Sequence, residues 1–173
     1  MRSAPRISNS EFARRRVELM QLMEPNSIAI LPASQSKNRN GDVEYSFRQD
    51  SDFYYLSGFG ETDSVFVLVP GREHGESILF CRERDEEFER WNGPLSGPDR
   101  ARQLYGIADA FPIEDIDEIL PGMIEGKDKL YYAMGVNRDF DNKIIEWVNS
   151  ISSKKKYGAE PPGEFVQLGQ FLH

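Results

Sequence analysis

Tyr45-Ser46-Phe47-Arg48-Gln49-Asp50-Ser51-Asp52-Phe53-Tyr54-Tyr55-Leu56-Ser57-Gly58-Phe59 is the stretch on which the reading of this chain turns. Its fifteen residues hold six aromatic rings, one arginine, two aspartates and one glycine. Rings at that density anchor a core or line a cleft, because each buries a large apolar area. The interleaved charges require that one edge stay wet or be paired. Asp50 to Leu56 reads as a short helix, with Asp50 and Asp52 placed to cap its first amides and Ser57-Gly58 to end it.

Outward from that stretch the chain alternates helix and strand. On the amino-terminal side, Ser8 to Met23 reads as a helix opened by a Ser8/Glu11 capping box. Phe12, Leu19, Leu22 and Met23 form its inward stripe, and Arg14 to Arg16 face solvent. Ser27 to Leu31 is a strand closed by Pro32, and Ala33 to Val43 is a polar loop with an Asn40-Gly41 turn. On the carboxyl-terminal side, Ser64 to Val69 and Glu76 to Cys81 are two strands of a hairpin that turns at residues 70–75. Arg82 to Arg90 is densely charged and leads into a loop, Trp91-Asn92-Gly93-Pro94. Pro98 opens and Gly106 closes a helix over 98–105. Phe111 to Ile113 is a short strand. A helix follows from Glu114, with Pro121-Gly122 set to break or kink it. Lys129 to Ala133 is a further strand. Asn137 caps the last long helix, whose stripe is Phe140, Ile144, Val148 and Ile151. Gly158 to Pro162 reads as a linker, and Phe165 to Leu172 as a short apolar segment. The expected architecture is α/β, a mixed β-sheet flanked by helices on both faces. The expected division is a domain over residues 1–157 and a connection over 158–173.

The totals narrow the function. A chain of 173 residues is long enough for one independent core. Its net charge of −8 argues against nucleic acid, which needs clustered Lys and Arg. No apolar run approaches the length of a membrane helix, and the basic start lacks the apolar core of a signal peptide. The single cysteine, Cys81, excludes an internal disulfide and fits a reducing, cytoplasmic setting. At the end of an apolar strand it reads as a small buried hydrophobe.

Chemistry is hard to find within the chain. A hydrolytic metal centre needs imidazoles and carboxylates that converge while one coordination position stays open. The two histidines are His74, in the hairpin turn, and His173, the last residue. Neither is placed as a ligand. Glu114, Asp115, Asp117 and Glu118 bracket a helix start, the ordinary electrostatic position for acids. A two-metal nuclease would need acids meeting from separate strands, whereas these sit in loops and at helix starts. Neither a Gly-x-Ser-x-Gly elbow nor a phosphate-binding glycine loop is present. No catalytic residue and no metal ligand is expected in this chain.

The run from Tyr45 to Phe59 resembles the Tyr-x-Phe-Arg-Gln-(Asp/Asn)-Ser-(Asp/Asn)-Phe-x-Tyr-Leu-(Thr/Ser)-Gly-Phe run of the amino-terminal domain of aminopeptidase P, the Xaa-Pro aminopeptidases. Glu11-Phe12-Ala13-Arg14-Arg15-Arg16 is similar to that family's first helix. Cys81 to Asp85 with Glu89-Arg90-Trp91-Asn92-Gly93 is similar to its Trp-x-Gly region. Phe171-Leu172-His173 resembles the point where the family continues into its second domain. The resemblance implies a creatinase/prolidase amino-terminal fold with its ribonuclease H-like motif, shared with prolidase and creatinase. It also implies a parent that removes the residue ahead of a proline at the second position of a peptide, using two manganese ions held by a second domain absent here. This domain would then be non-catalytic alone, bind no cofactor, shape one side of the substrate cleft, contact its own catalytic domain and join subunits into a homo-oligomer, a dimer or tetramer. A free-standing binding or interaction domain of the same fold, or the matching domain of a prolidase or creatinase, is the alternative. The apolar residues of the last segment, Phe165, Val166, Leu168, Phe171 and Leu172, point instead to a surface made to dock.

Five residues are candidates for the cleft or an interface. Trp91 is either a recognition anchor that reaches an active site, that of a neighbouring subunit included, or a lid over the local core. Arg48 either binds a substrate carboxylate or pairs with Asp50, Asp52 or a more distant acid. Tyr45 and Tyr54 are core or cleft wall. Asp42 edges the cleft or is a solvated loop acid.

Overall fold

The computed structural model describes residues 7–35 and 49–172 of the chain. Among them, α1 runs over Asn9–Leu22, β1 over Ser27–Pro32 and α2 over Ser51–Ser57. β2 (Val65–Leu68) and β3 (Ser77–Cys81) form the expected hairpin. Next come α3 (Glu86–Asn92), α4 (Pro98–Tyr105) and β4 (Asp109–Pro112). The chain ends with α5 (Ile116–Ile124), β5 (Lys129–Tyr132), α6 (Arg138–Ser153), β6 (Glu164–Gln167) and α7 (Gly169–Leu172).

The six strands form one sheet in the order β4-β3-β2-β1-β5-β6. β2 runs antiparallel to both neighbours, and every other adjacent pair is parallel. β1, β2 and β3 are apolar at nearly every position because helices cover both of their faces. Successive side chains alternate between those faces. Ile28, Ile30, Val67, Ile78, Phe80 and Leu130 pack against α5 and α6. Ala29, Leu31, Phe66, Leu68, Leu79 and Tyr131 pack against α1, α2 and α4. The sheet is therefore mixed and flanked on both sides, as the sequence implied.

Several local expectations are corrected. Ser8 accepts from the amide of Glu11, but the Glu11 carboxylate turns to Arg14 and Arg15, so the capping box is half made. Leu22 is exposed, and the place on the inward stripe falls to Arg16, which is 4% exposed. In α6, Trp147 rather than Val148 fills the buried position between Ile144 and Ile151, because its indole N–H finds the Asp117 carboxylate at 2.9 Å. Pro121 lies within α5, which continues to Ile124 because Ile116, Leu120 and Ile124 are all buried against the sheet. Residues from Gly158 onward, read as a connection, supply β6, which pairs with β5 at the sheet edge. Cys81, by contrast, is buried as expected, and burial, with Glu61 and Glu114 adding to it, pushes its thiol up to about 12.

Arg16 donates to the Leu56 carbonyl at 3.0 Å and to the Gly106 carbonyl at 3.2 Å, and lies over the Phe66 ring. Burial pulls its guanidinium below the usual arginine range. Arg16→Met keeps the apolar stem but leaves the buried Leu56 carbonyl without its donor, and is expected to cost about 3 kcal/mol of unfolding free energy. Arg16→Lys, which serves one carbonyl, should recover part of that. Urea unfolding checks both, and a loss below about 1 kcal/mol for Arg16→Met would show that these bonds do not hold the layer together.

Candidate functional site

The aromatic stretch that opens the sequence reading divides at residue 49. Tyr45, Arg48 and Asp42 lie outside the described residues. Beyond them, Asp50 caps α2 by accepting from the Phe53 amide at 2.9 Å. Phe53, Leu56 and Phe59 are buried, so two of the four described rings serve the core. Tyr54, 40% exposed, meets the edge of Phe12 on α1, with ring centres 5.9 Å apart. Arg15 covers Tyr55 at 4.3 Å and donates to its carbonyl. Tyr54 therefore belongs to the α1–α2 contact, and the rest of it is left to solvent.

Trp91 is held differently. Trp91 and Asn92, expected in a loop, are the last residues of the helix α3, which has no buried residue among its seven. Without an apolar stripe, its place is set by polar contacts. Asp85 caps it by accepting from the amides of Glu87 and Phe88. Arg82, just past the end of β3, lies 3.5 Å over the Phe88 ring and pairs with Asp63 at 3.6 Å. Gly93, at φ 93°, turns the chain back. Glu89 then accepts from the Leu95 amide at 2.7 Å and from Arg84 at 3.4 Å. Trp91 itself is 80% exposed, which removes its reading as a lid over the local core.

The return stretch after Gly93 is fastened to the body of the domain by a residue the sequence reading passed over. Glu61, in the loop between α2 and β2, accepts from the Ser96 amide at 3.0 Å. Gln49 sits behind it. Its side-chain carbonyl accepts from the amides of Ser34 and Asp50, and its side-chain amide donates to the Glu61 backbone carbonyl at 3.0 Å. Glu61, Arg84, Leu95, Ser96, Arg100 and Tyr105 line an open hollow of about 380 Å³ at the base of the α3 projection. No short-range sequence signal marks Glu61, because its partner is thirty-five positions away. Glu89, six residues ahead of its partner and followed by Asn-Gly-Pro, carried a turn signal that could have been read.

Among the described residues, no three of His, Cys, Asp and Glu come together as could hold a metal ion. His74 is exposed in the hairpin turn. No described helix is long and apolar enough to cross a membrane.

Comparison with known proteins places this geometry. Residues 12–132 match the family described as "Aminopeptidase P, N-terminal domain". The chain is 39% identical over 168 residues to the Xaa-Pro aminopeptidase of Escherichia coli, covering 96% of this chain and 38% of that protein. It is 34% identical over 151 residues to a protein of Arabidopsis thaliana named intermediate cleaving peptidase 55, mitochondrial, covering 87% of this chain and 30% of that one. The structure of Pseudomonas aeruginosa aminopeptidase PepP superposes with a TM-score of 0.92 at 60% identity, over 97% of this chain and 38% of that one. The chain thus spans less than two fifths of the length of these relatives.

The Leu95 amide, with Arg84 adding to it, holds the Glu89 carboxyl below its ordinary value of 4.5. That hold is present above the ordinary carboxylate range and is lost as pH falls through the lowered value. In an acid titration followed by NMR, the Glu89 side-chain carbonyl carbon and the Leu95 amide proton are expected to move together, with a midpoint below that of free glutamate. A midpoint at or above the free value would show that the turn is not closed by this bond.

Proposed function

The chain belongs to the aminopeptidase P N-terminal domain family, and from that premise we propose that it is the cleft-shaping, subunit-joining part of an Xaa-Pro aminopeptidase. The reaction of that protein is removal of a first residue that precedes proline. On this reading the hydrolytic centre, with its pair of manganese ions, belongs to the portion of the relatives that this chain does not span. The residues described here supply no donor set for such a pair, so no step of the hydrolysis is routed through them. The protein works in the cytoplasm as a homo-oligomer, a dimer or tetramer, and this domain contributes to its subunit contacts.

The observation that carries the reading is the exposed indole of Trp91 on a helix framed by polar contacts and buried nowhere. A tryptophan kept in water by its own domain forgoes the stabilisation that burial of so large a side chain would give. Such residues are the usual anchors of a second surface. Its role is to close one side of the peptide cleft of the assembled enzyme, that of a neighbouring subunit included, so that a peptide with a free amino end and proline second is held for attack.

The test uses the protein that contains both this domain and the remaining portion found in its relatives. Trp91→Ala is expected to lower kcat/KM on an Xaa-Pro peptide of several residues about tenfold, equivalent to about 1.4 kcal/mol. The effect on an Xaa-Pro dipeptide should be smaller and the thermal midpoint unchanged. The 173-residue chain alone, supplied with manganese, is expected to leave both peptides intact. Unaltered kinetics of Trp91→Ala would remove Trp91 from the cleft, and manganese-dependent cleavage by the chain alone would overturn the division of labour.

A further inference from the structure

We propose that Glu61 is a positioning residue for Trp91, the clamp through which the body of the domain fixes where the α3 projection points. The proposal rests on the reading of Trp91 as a cleft contact and goes beyond it, naming the group that holds the indole in place.

Two adjacent amides of the return stretch, those of Leu95 and Ser96, are each taken by a carboxylate. The two carboxylates do different work. Glu89 belongs to α3, so its bond closes the projection on itself. Glu61 comes from the loop between α2 and β2, so its bond ties the projection to the domain. Behind Glu61 the hydrogen bonds continue through Gln49 to the Ser34 amide, just past the end of β1. A continuous path therefore runs from the central strand of the sheet to the turn beneath Trp91. Other fixed points of the projection are the buried side chain of Leu95, the stacking of Arg82 on Phe88 with its pair to Asp63, and the Arg84–Glu89 pair. Those hold its base and its middle, and leave the angle of the turn to Glu61.

The second oxygen of Glu61 supports the same conclusion. Oε1 is buried and, among the described residues, has no hydrogen-bond partner. An unsatisfied buried acceptor costs stability, so this carboxylate is a poor choice if stability alone is at stake. A charge-assisted bond to a backbone N–H is shorter and roughly twice as strong as a neutral one. The acid thus gives up stability for a stiffer hold on one amide, which is what aiming an exposed indole requires.

The test has two readouts. In the 173-residue chain, Glu61→Ala is expected to speed hydrogen exchange of the Ser96 amide at least tenfold and to sharpen the Trp91 indole N–H resonance through faster local motion. Exchange in β2 should be unchanged, which separates a loosened projection from a loosened fold. Glu61→Gln, which keeps an acceptor but loses the charge, should fall between the parent and Glu61→Ala. Gln49→Ala breaks the path one link earlier and should loosen the Ser96 amide in the same direction, so the proposal remains testable if Glu61→Ala fails to fold. In the longer, catalytically active protein, Glu61→Ala should raise KM for the longer peptide in parallel with Trp91→Ala. The two substitutions together should do no more than Trp91→Ala alone, because both act through one indole. Parent-like exchange at Ser96 in Glu61→Ala, or kinetic effects of the two substitutions that simply add, would overturn the proposal. A loosened Ser96 with no kinetic effect of Trp91→Ala supports the clamp and faults the cleft reading instead.

Discussion

A buried guanidinium holds this domain together in the layer that carries its candidate site. Arg16 is enclosed between α1, α2, α4 and the sheet, and its N–H groups are received by the carbonyls of Leu56 and Gly106 rather than by a carboxylate among the described residues. Leu56 lies in the last turn of α2 and Gly106 caps the end of α4. Both are helix carboxyl ends, where the aligned peptide dipoles favour a cation. One charge therefore answers the orphan carbonyls of two helices at once, and its stacking on Phe66 registers both against β2.

The position of the site follows from that fixture. α2 ends at Gly58, at φ 70°, and a Cβ there would lie 2.5 Å from the Phe12 ring. Only glycine lets α2 end so close to α1, and the chain then passes through buried Phe59 to Glu61. The loop that grips Ser96 is thus launched from the helix end that Arg16 secures. The packing of one layer and the aim of an exposed indole are in this way linked by short covalent stretches, with no shared apolar core needed between them.

The sheet, its flanking helices and most of their limits could be read from apolar period and punctuation, because those elements are stabilised by burial of their own side chains. Arg16 was legible in part. It stands four residues after Phe12 and three before Leu19, on the inward stripe, and only its charge argued for solvent. Partners that a sequence does not display, two helix ends far along the chain, reverse that preference. Trp147 displaced Val148 from the core for a similar reason, since its indole N–H has Asp117 to meet. β6 was hidden because four residues after a Gly-Pro stretch carry little pattern, and its pairing with β5 is settled by the finished sheet edge. α3 was hidden more deeply. A helix that buries nothing has no period to detect, and the contacts that replace its stripe, Arg82 with Asp63 and Glu61 with Ser96, are non-local.

The residues that identify a family need not be the residues that act. The run beginning at Tyr45 carries the most specific resemblance in the chain, yet its described rings pack inward or against α1. Phe53, Leu56 and Phe59 are in the core, Tyr54 meets Phe12, and Tyr55 lies under Arg15. A motif this dense is demanding because each of its described rings has a fixed neighbour, and that is a demand of packing. On the proposed reading, Trp91 comes from a weaker motif for the complementary reason. A side chain kept for a second surface is constrained by that surface and leaves little trace in the order of its own domain. The part of such a chain that is easiest to recognise is therefore its scaffold, and the part that meets another surface must be found by asking which large side chain the scaffold leaves in water.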